Sequence, residues 1–122
     1  ISAAIAWSKW EASTSKLIYN KKSLHQFNNE KNVEAFARIE CHYFINKGFF
    51  KSDGWLLENL NPIKKIQTFI VQGRYDVICP MQSAWDLHNK LPKSELIIIP
   101  NSGHSMLERG IQKKLIEITD RY

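Results

Sequence analysis

The sequence predicts an α/β protein, with an all-helical stretch over residues 1–50 and a strand–helix–strand–helix unit over 62–122. Three observations predict it. Apolar residues recur at helical spacing in the first half. Two short apolar runs, Gln67–Gln72 and Glu95–Ile99, have the length and character of buried strands. A segment opened by Pro80 and closed by Pro92 lies between them, and a helix there supplies the right-handed crossover that parallel strands need.

Taken in order, residues from Ile1 to about Leu17 read as a helix with Ala4, Trp7, Glu11 and Thr14 on one face. Tyr19–Asn29 is polar and reads as a loop, with Asn29 placed to cap a second helix. That helix, about Glu30 to Asn46 and closed by Gly48, carries the stripe Val33, Phe36, Ala37, Glu40, Cys41 and Phe44. Phe49–Leu60 suits a turn and a short helix, broken at Asn61-Pro62. The first strand ends at Gly73, and Pro80 suits the first turn of a helix reaching about Leu91. After the second strand comes the loop Pro100-Asn101-Ser102-Gly103-His104, then an amphipathic helix carrying Leu107, Ile111, Leu115 and Ile118.

Length and composition narrow the function classes. A chain of 122 residues allows one ordinary domain. It begins Ile1-Ser2-Ala3-Ala4 with a helical pattern under way, which predicts a piece of something larger. Lys plus Arg exceed Asp plus Glu by 17 to 12, yet the basic residues fall in scattered pairs such as Lys21-Lys22 and Lys113-Lys114. A nucleic-acid face would concentrate them and interleave aromatics, so no nucleic-acid partner is expected. The longest apolar runs are far too short to cross a bilayer, and no membrane partner is expected. Cys41 and Cys79 form neither a disulfide framework nor a metal site, which predicts reduced thiols in a cytoplasmic protein without metal or organic cofactor.

Two polar groups sit just past strand ends, where parallel α/β sheets collect their chemistry. Asp76 follows the first strand and His104 the second. Adjacent parallel strands bring both loops to one sheet edge, where an Asp can accept from one imidazole nitrogen while the other acts as general base. The order Asp then His is that of the α/β-hydrolases, whose nucleophile lies further upstream on a Gly-x-Ser-x-Gly elbow. The glycines here stand at 48, 54, 73, 103 and 110, and no pair brackets a serine. Glu40 and Glu11 form a second anomaly, since a carboxylate on an apolar helix face needs a cation or several donors. Two of them in a helical lid would make a negative pocket for a substrate ammonium. His25, His42 and His88 read as structural or solvated.

The strings Ala6-Trp7-Ser8-Lys9-Trp10-Glu11, Ala35-Phe36-Ala37-Arg38-Ile39-Glu40 with His42-Tyr43-Phe44, Gly73-Arg74-Tyr75-Asp76-Val77-Ile78-Cys79-Pro80 with Gln82-Ser83-Ala84-Trp85-Asp86-Leu87, and Ser102-Gly103-His104-Ser105 closely resemble the proline iminopeptidases of the α/β-hydrolase superfamily. The resemblance implies the C-terminal part of an α/β-hydrolase fold, its last parallel strands and helices, with part of a helical cap. Residues 1–50 would belong to the cap and 51–122 to the catalytic domain. It implies a serine-type exopeptidase acting on peptides with an N-terminal proline. Asp76 would be the triad acid and His104 the base, Glu11 and Glu40 would bind the prolyl nitrogen, and Ile78 and Cys79 would line the ring pocket. Without a nucleophile these residues alone would be inactive, and two strands with raw edges predict marginal stability or self-association. The alternatives are another lidded α/β-hydrolase, an esterase or amidase, and a non-catalytic basic binding module.

Overall fold

The computed structural model describes residues 1–18 and 30–121. The expected loop at 19–29, with His25 and the capping role of Asn29, lies outside the described residues. The chain divides into two units: a helical one of Ile1–Thr14 and Ile18–Asp53, and a sheet-containing one of Ser15–Leu17 and Gly54–Tyr122.

In the helical unit, α1 (Ser2–Thr14) packs against α2 (Glu30–Ile45). Ala4, Trp7, Glu11 and Thr14 are all half-buried, as their shared face requires, and Ser8 beside them is fully buried. α1 stops at Thr14, three residues short of the expected Leu17. Hydroxyls explain the stop: Ser13 Oγ donates to the Trp10 carbonyl at 2.7 Å, and Thr14 Oγ1 donates to those of Trp10 and Glu11. Carbonyls without a partner in the next turn are thereby satisfied from within.

The apolar stripe of α2 buries only its centre. Val33 and Ala37 are buried and Glu40 is half-buried, whereas Phe36, Cys41 and Phe44 are exposed. Six stripe positions span a wider arc than the facing helix covers. The helix ends with Asn46 Nδ2 donating to the His42 carbonyl at 2.8 Å. Lys47, Gly48 and Phe49 then all adopt positive φ, at 50°, 63° and 62°. Gly48 takes the left-handed turn at no steric cost, and its two neighbours are held there against their preference. The rings of His42, Tyr43 and Phe49 cluster around this turn, with Phe49 5.3 and 5.4 Å from the other two.

In the other unit, the short helix α3 (Trp55–Glu58) and a 3₁₀ turn at Asn61–Ile63 precede the sheet. Strands β1 (Thr68–Gly73) and β2 (Ser94–Ile99) pair in parallel, from Thr68 opposite Ser94 to Gly73 opposite Ile99. The crossover is α4 (Met81–Lys90), and α5 (Arg109–Thr119) packs against β1. Pro80 takes the N-cap position of α4 rather than its first turn, and Leu107 lies exposed before α5 rather than on it. The strands are half-buried, not buried as their apolar character predicts, because a two-stranded sheet offers each of them one strand neighbour. Ala84 of α4, Ile111 and Ile118 of α5, and Leu91 just after α4 are buried in this unit's core. Among the described residues, no helix is long and apolar enough to cross a membrane.

Ile111 is 4% exposed. Truncation to alanine removes buried apolar volume that a small core cannot refill, so Ile111→Ala is expected to cost about 2–4 kcal/mol. A lowered urea midpoint at unchanged slope is the signature to look for.

Candidate functional site

Parallel register sets the site. Because Gly73 and Ile99 are paired at the strand ends, the loops beyond them leave abreast. Arg74 N–H donates to the Ile99 carbonyl and Tyr75 N–H to that of Ser102, both at 2.9 Å. A side chain at 73 would collide with the Gly103 carbonyl and come within 2.8 Å of that of Ser102, so glycine is needed for this close approach.

Asp76 lies in the first of these loops. Its side chain is 6% exposed, while that of His104 is 38% exposed. Asp76 Oδ1 accepts from the backbone N–H of Ile78 at 3.0 Å and of Cys79 at 2.8 Å. Oδ2 lies 3.0 Å from His104 Nδ1 and 3.3 Å from Gln72 Nε2. A carboxylate beside Nδ1 assigns the proton to that nitrogen and leaves the lone pair on Nε2, the atom a general base uses. The pair can therefore take up a proton at a half-exposed ring whose positive form is met by a buried negative charge.

The histidine loop is fixed through its backbone. The Ser15 carbonyl accepts from the N–H of both His104 and Ser105, at 3.1 and 2.7 Å. Glu108, half-buried just before α5, accepts the Gly103 N–H on Oε1 at 2.7 Å and the Leu17 N–H on Oε2 at 3.2 Å. Residues 15–17 thus act as a strap across the loop, and Glu108 staples strap to loop.

The other candidates fall in two places. Ile78, half-buried, and Cys79, exposed, share the Asp76 loop and donate to its carboxylate. Glu11 and Glu40 belong to the helical unit, both half-buried. Glu40 Oε2 accepts from the Trp7 indole N–H at 2.6 Å, while Arg38 reaches Glu34 instead at 3.7 Å. So an indole supplies the donor that the apolar face of α2 demanded. His88 Nδ1 lies 2.8 Å from Ser94 Oγ, joining α4 to β2, and His42 sits in the aromatic cluster. Among the described residues no group of three or more His, Cys, Asp or Glu could hold a metal ion.

Sequence reasoning missed Gln72, Glu108 and Ser15. Gln72 carried a signal, as the only polar residue between Phe69 and Gly73. Ser15 carried none, because it acts through its carbonyl.

Helices and a parallel strand pair with polar loops at its carboxyl edge describe an α/β chain. The chain belongs to an α/β-hydrolase family, that of the TAP-like proteins, whose family model matches residues 34–122. It is similar over 98% of its length to a probable proline iminopeptidase of Leptolyngbya boryana at 58% identity and to a proline iminopeptidase of Arabidopsis thaliana at 51%. A proline iminopeptidase of Neisseria gonorrhoeae is 36% identical over the same share. The matched regions cover 37%, 31% and 37% of those proteins, so the chain spans about a third of their length.

Removing Glu108 strips the buried Gly103 N–H of its acceptor, at a cost of about 1–3 kcal/mol. Glu108→Ala is therefore expected to destabilise the fold by that amount. Hydrogen exchange should quicken at the Gly103 and Leu17 amides first, ahead of those in β1.

Proposed function

We propose that the chain is the C-terminal part of a serine-type exopeptidase that releases N-terminal proline from peptides in the cytoplasm. Residues 1–50 contribute to its helical cap and 51–122 to its catalytic domain. The observation that carries this reading is the Asp76–His104 hydrogen bond at 3.0 Å, at the edge of paired parallel strands. The likeness to proline iminopeptidases supports the choice of substrate.

In this reaction His104 Nε2 removes the proton of a serine hydroxyl as its oxygen bonds to the prolyl carbonyl carbon. The C–N bond then breaks, and the proton passes from His104 to the leaving amine. Water repeats the sequence on the acyl-enzyme and frees proline. Asp76 holds the tautomer and offsets the imidazolium charge. That serine is supplied from outside these 122 residues, none of whose serines is bracketed by glycines, so the 122-residue chain alone releases no proline. Glu11 and Glu40 hold the protonated prolyl nitrogen, and Ile78 and Cys79 form part of the ring pocket. Trp7, by holding Oε2 of Glu40 at 2.6 Å, aims that carboxylate.

The complete gene product should cleave prolyl anilides far faster than alanyl anilides or simple esters. Glu40→Gln keeps an acceptor for Trp7 and removes the charge. It should lower kcat/KM for prolyl substrates by about 10- to 100-fold, the worth of one hydrogen bond to a charged group. His104→Ala should lose about three orders of magnitude or more. Equal cleavage of esters, or unchanged kinetics in Glu40→Gln, would reject the amine-binding role.

A further inference from the structure

Gln72 stands at the end of β1, opposite Ile98. Its Nε2 lies 3.1 Å from the Cys79 carbonyl, 3.4 Å from that of Gly73 and 3.3 Å from Asp76 Oδ2. All three neighbours are acceptors, which fixes the nitrogen, not the amide oxygen, toward the loop. Two hydrogens are thus shared among the last residue of β1, Cys79 at the far end of the loop and the carboxylate between them.

The division of labour at Asp76 gives this contact its importance. Backbone N–H groups of Ile78 and Cys79 hold Oδ1. A carboxylate held at one oxygen can still swing the other about that anchor. Oδ2 is the oxygen that faces His104 Nδ1, and Gln72 is the second donor on it. We propose that Gln72 is a positioning residue for the Asp76–His104 pair, restraining Oδ2 so that the histidine keeps its tautomer and orientation. The proposal rests on reading that pair as the acid and base of acyl transfer. Gln72 touches no reacting atom. Its effect passes through Asp76, and loosening such a pair by a fraction of an ångström is enough to slow turnover about tenfold.

The test uses the complete gene product carrying Gln72→Met, which keeps the length of the side chain and removes both donors. The expected result is a kcat for a prolyl anilide about tenfold lower with KM within about twofold of wild type. The downfield proton resonance of His104 Nδ1–H should move upfield and exchange faster with water. Gln72→Glu places a carboxylate against three acceptors and should lose more activity than Gln72→Met. Wild-type kcat with an unmoved resonance in either variant would overturn the proposal. So would lowered thermal stability with the resonance in place, the mark of a residue that only braces the loop. If the wild-type product cleaves no prolyl substrate but Gln72→Met still moves the resonance, positioning stands and the peptidase reading alone fails.

Discussion

The approach of Gly73 to the carbonyls of Ser102 and Gly103 is the constraint on which the rest of the sheet-containing unit depends. Parallel strands of equal length finish level, but level ends do not by themselves bring two loops into hydrogen-bond range. The missing side chain at 73 lets the second loop settle against the first, and Tyr75 N–H then bonds to the Ser102 carbonyl. Asp76 and His104 meet as a result. A methyl group at that point would separate Asp76 from His104, 28 residues apart in sequence.

Backbone groups carry most of the precision in this site. Oδ1 of Asp76 is held by two main-chain N–H groups, and the histidine loop hangs from a main-chain carbonyl and a glutamate that grips two amides. Main-chain donors have no rotamers to lose, so they orient charged side chains at low entropic cost. At Oδ2 of Asp76 the donors are side chains, those of Gln72 and His104.

How much of this was legible in the sequence follows from the same distinction. The strands, the crossover helix and the meeting of Asp76 with His104 were readable, because periodicity and strand-end placement are written in residue types. Half-burial of Glu11 and Glu40 was readable for the same reason. The indole partner of Glu40 was not, since it lies 33 positions away on another helix. α1 ends three residues before the expected Leu17, because hydroxyl bonds to the last carbonyls compete with another turn of helix. Nor could the strap be foreseen. A serine whose carbonyl accepts two hydrogen bonds looks like any other serine.

That strap also orders the molecule in time. Leu17 and Glu108 are joined across 91 positions, and Ser15 reaches nearly as far to His104. Contacts of such sequence separation form late, after the loop-closure entropy has been met by nearer pairings. On the ribosome the strap emerges before the segment bearing Glu108 and must wait, undocked, until that segment has left the exit tunnel. Strand pairing and Asp76 can be in place before then, but the histidine loop cannot be stapled. The Asp76–His104 pair is thus completed only after the segment bearing Glu108 has emerged.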